Sequence, residues 1–343
     1  MENKENISQN ISVKHFNNKM PPMADMTFLS CTELFCEPQQ TEMEVVNSEK
    51  PNQQYTILPK VMQVQALADP AIRDDARVLV NLLRNEPRYL PRTPDYFNTV
   101  QVEVKPHMRK IVSDWMLEVS QECCAPEVFC LGMNLMDRFL AKCRIQKSQL
   151  QLLGAVCLFL ASKFKETCPL TSEKLAMYTD FSVNPEDIRE WELLVLYKLK
   201  WDLGSSTGLD YLDHLLPRLP IPSSTNNNNI DLINLRRQVE TAIALSSTLY
   251  TFAYTRPSVI AASAIAIALR SMTLNFTEEG ALNFLISLKE LTQSSTAELE
   301  ACSNAMLQSL PAYLTASRNP SDLNSQSTLV TNFEKTSLLV KSC

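Results

Sequence analysis

Three histidines (His15, His107 and His214) and ten cysteines are the residues of this chain best suited to catalysis or metal binding. None falls into a zinc-site pattern, and Cys31-x4-Cys36 has no second ligand pair. No G-x-G-x-x-G, G-K-[ST] or G-x-S-x-G sequence occurs, so neither a phosphate-cradling loop nor a nucleophile elbow is expected. His107, beside Pro106, reads as a helix-terminal residue. Independent catalysis, a cofactor and a metal are therefore not expected.

The remaining chemistry is that of binding. Residues 152–162 are almost all apolar or small, and the run ends at the charged cluster Lys163, Lys165 and Glu166. A helix apolar on every side is buried or spans a membrane. This run falls short of the ~20 residues a bilayer requires, so it reads as a buried hub that surfaces at Lys163. Near the N-terminus, Leu29, Cys31 and Glu33 alternate, so in an extended peptide all three project to one side. That arrangement suits a groove with two apolar pockets and a basic rim.

The elements that position these groups are helical. Only five glycines occur among many Leu, Ala, Met and Glu, and 45% of the residues are hydrophobic. An apolar stripe predicts a helix over 70–83, packed on the outside of the first domain. Pro106 opens a helix to 123, with Met108, Ile111, Val112, Trp115 and Val119 at helical spacing. Further helices are expected over 126–142, 149–166, 172–179 and 185–199. A second set is expected over 207–216, 230–250, 257–272, 277–291 and 296–315, with a loop of four asparagines at 226–229. The run 259–265 repeats the small-and-apolar character of 154–161, which suggests an internal duplication. Residues 1–65 and 316–343 read as disordered tails, flanking domains at 66–202 and 203–315.

A net charge of -6 argues against a nucleic-acid surface. The scattered cysteines, several of them on predicted helices, read as free thiols rather than a disulfide framework. With no apolar leader in MENKENISQN, a reduced compartment is expected, and Lys341-Ser342-Cys343 is not a prenylation box.

Three segments carry a resemblance. MRKIVSDWMLEV, LASKFKETCPLTSEKLAMYTDFS and WELLVLYKLKW resemble the cyclin box, and ETCPLTSEKL with KLKW look like the D-type, G1-phase cyclins. Leu29, Cys31 and Glu33 match the LxCxE form that docks onto retinoblastoma-type proteins. The resemblance implies an all-α pair of tandem five-helix cyclin folds with an extra N-terminal helix. It also implies a regulatory subunit that activates a cyclin-dependent Ser/Thr kinase at G1/S, in nucleus and cytoplasm. By family pattern, Lys163 and Glu192 would bond backbone groups at the start of the kinase's C-helix, while Phe164 and Leu196 pack on it. Arg109 and Asp114 would form an internal charge pair. Met108, Ile111, Val112, Trp115, Glu118, Leu150 and Gln151 resemble the patch that captures substrates or inhibitor proteins bearing Arg-x-Leu. Lys4-Glu5-Asn6 has the form of a degradation signal, whereas residues 316–343 lack the family's Thr-Pro phosphodegron. The rival reading is a kinase-independent scaffold or transcription adaptor on the same fold.

Overall fold

The structure is a computed structural model that describes residues 69–220, 232–272 and 278–310. Leu29, Cys31 and Glu33, Lys4-Glu5-Asn6, both tails and the asparagine loop lie outside the described residues. Every regular element among the described residues is a helix.

The chain enters through α1 (Pro70–Arg73) and α2 (Ala76–Asn85) rather than one continuous helix. The reason is local. Asp69 caps α1 by accepting the Ala71 amide, and Asp75 starts afresh by accepting the Arg77 amide at 2.8 Å. A single turn, α3 (Tyr96–Thr99), follows in a stretch whose sequence carries no helical period, and it buries Tyr96 and Phe97.

The first repeat is α4 (Pro106–Cys123), α5 (Pro126–Leu140), α6 (Leu150–Lys165), α7 (Ser172–Tyr178) and α8 (Pro185–Leu199). Prolines open α4, α5 and α8 because the missing amide is an unpaired helix-terminal donor in any case, and Thr171 caps α7 by accepting the Lys174 amide. Helix α6 is the hub, buried from Leu153 through Ser162. Gly154 lets α4 approach it closely: a Cβ there would lie 2.7 Å from Val112 Cγ1 and 3.3 Å from Met116 Sδ.

The second repeat is the short α9 (Leu212–Leu215), α10 (Leu232–Thr248), α11 (Pro257–Met272), α12 (Glu278–Thr292) and α13 (Thr296–Ser309). Its hub α11 buries Ala261, Ala262, Ala264 and Ile265 completely, and it packs against α10, α12 and α13. The 207–216 segment is a Gly208–Tyr211 3-10 turn leading into α9, in which Asp210 accepts both the Thr207 amide and hydroxyl.

Two polar networks join the repeats. In the first, Arg109 is fully buried and makes a bidentate bond to Asp137 on α5, with both N–O distances 2.7 Å. Its remaining N–H groups reach Thr248 O at 2.8 Å and Ser247 O at 3.2 Å, the carbonyls at the end of α10. Asp137 also accepts the Tyr96 hydroxyl at 2.8 Å. Burial and the Asp137 charge together push that phenol far above its ordinary range, so Tyr96 remains a donor.

This geometry corrects the expected Arg109–Asp114 pair. Five residues apart on one helix, the two point in different directions, whereas Asp114 lies one turn from Lys110 and bonds to it. The true partner, Asp137, comes from the neighbouring helix.

In the second network, Glu86 lies fully buried just after α2. It accepts the Tyr211 hydroxyl (3.1 Å), the Ser258 amide (3.1 Å) and hydroxyl (3.0 Å), and Arg256 (3.3 Å). A carboxylate at the start of α11 also meets that helix's positive end. The Arg73 carbonyl accepts Arg218 at 3.1 Å and lies 3.1 Å from His214 Nδ1. The N-terminal helices therefore bridge to the second repeat rather than lying on the outside of the first alone.

Removing one partner of a buried pair leaves an uncompensated charge. Arg109→Ala is expected to destabilise the protein by about 3–5 kcal/mol. Asp114→Ala, which loses only a surface pair, should cost about 0–1 kcal/mol. Urea unfolding of both variants reads the difference, and equal losses would contradict the assignment.

Candidate functional site

Helix α8 shows how the site is built. Positions 188, 192, 195, 196 and 199 fall on one stripe, and Ile188, Val195, Leu196 and Leu199 are buried there. Glu192 is the only charged member of that stripe, and its side chain is largely covered. A carboxylate so placed requires a partner, and the end of α6 supplies one. Lys163 Nζ lies 2.9 Å from Oε1 and 3.1 Å from Oε2 of Glu192, and 4.0 Å from the centre of the Phe159 ring. Two favourable fields therefore hold the ammonium: a carboxylate and an aromatic face. The negative end of α6 favours the cation further.

Exposed apolar side chains flank this pair. Phe164 follows Lys163 and faces solvent, with its ring tip near Gly204. Leu193 is 55% exposed, and Tyr197, one turn further along α8, is exposed as well. Trp201 projects from the end of α8, where Lys200 and Trp201 both adopt left-handed backbone. A charged pair bordered by uncovered aromatic and aliphatic groups can grip both the polar ends and the apolar flank of a partner helix.

Leu196 is corrected. At 6% exposure it belongs to the core stripe, and Leu193 and Tyr197 are the α8 residues that offer apolar surface. Helical periodicity alone contained this signal, because Leu196 falls on the i, i+4, i+7, i+8 stripe that begins at Ile188. The turn after α6 is tied in as well. Lys165 pairs with Asp210 at 2.9 Å, Glu166 accepts the Ala125 amide at 2.6 Å, and Ser162 accepts the Leu170 amide at 2.5 Å.

The second expected patch lies where α4 meets the start of α6. Ile111 and Glu118 are exposed, while Met108, Val112 and Trp115 are half-buried. Trp115 donates its indole N–H to Tyr178 O at 3.1 Å, and half-buried Gln151 accepts the Ser182 hydroxyl at 3.3 Å. Met116 is completely buried and supplies the core from another side of α4. Leu150 is corrected: only 3% exposed, it belongs to the core and not to the surface. Among the described residues, no group of three His, Cys, Asp or Glu side chains could hold a metal, and no helix is long and apolar enough to cross a membrane.

The difference between core and surface is measurable. Leu196→Ala should cost about 2–5 kcal/mol of unfolding free energy, as a core truncation does. Leu193→Ala should remain within about 0.5 kcal/mol of the parent. Similar losses in chemical denaturation would place both leucines in the same environment and overturn the correction.

Comparison with known proteins agrees with this architecture. Residues 77–204 match the family model of the cyclin N-terminal domain, and residues 207–337 that of the cyclin C-terminal domain. The chain is 41% identical over 276 residues to G1/S-specific cyclin-D2 of Xenopus laevis, spanning 80% of this chain and 92% of that one. It is 49% identical over 205 residues to G1/S-specific cyclin-D3 of Homo sapiens, spanning 60% and 68%. The X-ray structure of a viral cyclin from herpesvirus saimiri superposes with a TM-score of 0.59 at 25% identity, covering 69% of this chain and all of that one. Two tandem five-helix repeats, matched in order by both cyclin domain models and by D-type relatives along most of the chain, make this protein a member of the cyclin family, of the D type.

Proposed function

We propose that this cyclin is the regulatory subunit of a cyclin-dependent Ser/Thr kinase at the G1/S transition. It activates that kinase and directs it to retinoblastoma-type substrates. The observation that carries the reading is the Lys163–Glu192 pair, set at the surface end of the hub helix beside the exposed Phe164, Leu193 and Tyr197. In the free protein the two charges satisfy each other. Against a kinase, the ammonium would donate to helix-terminal carbonyls and the carboxylate would accept helix-terminal amides. The apolar neighbours would cover the flank of the kinase's C-helix and hold it inward, so that the kinase's own Lys–Glu pair forms.

Substrate choice rests on two further surfaces. Leu29, Cys31 and Glu33 fit an extended peptide seated in a retinoblastoma-type pocket. The exposed Ile111 with half-buried Met108, Val112 and Trp115 offers an apolar seat for Arg-x-Leu peptides of substrates or inhibitor proteins, with Glu118 as a partner for the arginine. The same reading puts the chain in both nucleus and cytoplasm, entering the nucleus with its partner, since its sequence has no basic cluster for import.

The decisive assay is phosphorylation of a retinoblastoma fragment by a D-class partner kinase co-purified with this chain. Activity is expected with the native protein and should fall at least about tenfold with Lys163→Glu, since charge reversal sets two carboxylates face to face. The variant's helical circular dichroism should stay native, because the lysine is exposed. A stable but inactive complex would indicate an inhibitory or scaffolding cyclin, and no complex would favour the adaptor reading. Separately, Cys31→Gly should weaken retinoblastoma binding in a pull-down while leaving kinase binding unchanged. Unaltered capture would remove Cys31 from the docking peptide.

A further inference from the structure

At the end of α4, two adjacent thiols face each other. Cys123 Sγ and Cys124 Sγ lie 3.7 Å apart, and both side chains are half-buried, within reach of small solutes. As a thiol, Cys123 donates to Val119 O at 3.0 Å. The groups around the pair are Lys174 and Tyr178 from α7, Glu122 from α4, and Glu166 at the end of α6. The Cys124 hydrogen bond, opposed by burial and assisted by Lys174, brings the Cys123 thiol down to about 7, while Cys124 is driven the other way. One sulfur is thus the nucleophile and its neighbour the proton-bearing partner. By contrast, burial pushes Cys130 up to about 12 and Cys302 up to about 11, and raises Cys143 and Cys157 as well. Cys168 is exposed.

We propose that Cys123 and Cys124 form a vicinal dithiol that hydroperoxides oxidise reversibly to an intramolecular disulfide. The Cys123 thiolate attacks one peroxide oxygen, the O–O bond breaks, and the departing oxyanion takes up a proton as the sulfur becomes a sulfenic acid. Cys124, losing its proton, then attacks that sulfur. The S–O bond breaks, water leaves and the S–S bond forms. In sum, a dithiol and a hydroperoxide give a disulfide, an alcohol (or water) and one water. Adjacent Cα atoms sit about 3.8 Å apart across a trans peptide. That is shorter than the usual disulfide range of roughly 4.4–6.8 Å, so the ring is strained and easily reduced, as a reversible modification requires.

The test uses the full-length protein and does not depend on kinase activation. After brief hydrogen peroxide treatment at pH 7 and alkylation, the peptide holding both residues should lose two hydrogens and regain them with dithiothreitol. This should occur at least about tenfold faster than oxidation of the exposed Cys168, since at Cys123 the neighbouring thiol favours the reactive thiolate and stands ready to resolve the sulfenic acid. Phenylarsine oxide, which bridges paired thiols, should protect both residues from alkylation in the unsubstituted protein. Cys124→Ser should stop at a dimedone-reactive sulfenic acid on Cys123, and Cys123→Ser should abolish both products. Linkage of either residue to a different cysteine, oxidation no faster than at Cys168, or no protection by the arsenical would each overturn the proposal.

Discussion

The architecture depends on one buried guanidinium. Arg109 occupies the junction of α4, α5 and the end of α10, where its N–H groups meet the Asp137 carboxylate and two carbonyls that α10 cannot satisfy internally. Charge neutralisation by Asp137 makes the burial tolerable, and the α10 carbonyls turn a potential penalty into a fixed joint. Only arginine has the planar fork that bonds a carboxylate through two N–H groups and still has donors for a third element. Tyr96 extends the network by donating to the same carboxylate, and its ring stacks edge-on to Tyr250 at 5.1 Å. Two domains that could otherwise rotate about a short connection are thereby held through directional bonds.

Glu86 supplies a second joint of opposite charge. It anchors the segment after α2 to the start of α11, where an amide, two hydroxyls and Arg256 converge. The N-terminal helices are thus a strap across both repeats. A few residues on, Tyr89 turns back to the first repeat: its carbonyl accepts Asn134 at 2.9 Å, and its ring lies 5.2 Å from the Arg138 guanidinium.

With the frame fixed, the working surface follows from the hub. Because α6 is packed on every side, its last turn can emerge in one place only, and Lys163 and Phe164 emerge there. The partner carboxylate belongs to a stripe that is otherwise core, so Glu192 is held firmly while Lys163 keeps a solvent-facing side. Because the ammonium side of the pair faces solvent, a partner can reach both charges and replace their mutual bond with bonds of its own. In the second repeat the apolar run of α11 ends at Arg270 and Ser271, with no counterpart in sequence of Lys163 beside Phe164.

Much of this was legible in one dimension. The helical class followed from scarce glycine and long apolar periods, the hub from a run with no polar stripe, and the helix starts at 106, 126, 185 and 257 from proline. These are local properties, set by backbone sterics and the side chains of one segment. What the sequence could not settle was pairing across elements. The family resemblance put Asp114 beside Arg109, although the carboxylate that reaches the guanidinium lies on the next helix. Leu196 and Leu150 were assigned to surfaces that their own helices turn inward. The turn at Tyr96 and the course of the N-terminal strap likewise depend on contacts distant in sequence. Local order determined which segments are helices and where the hub ends. Only tertiary structure decided which charge meets which, because burial and partner geometry belong to the packed chain and not to any stretch of it.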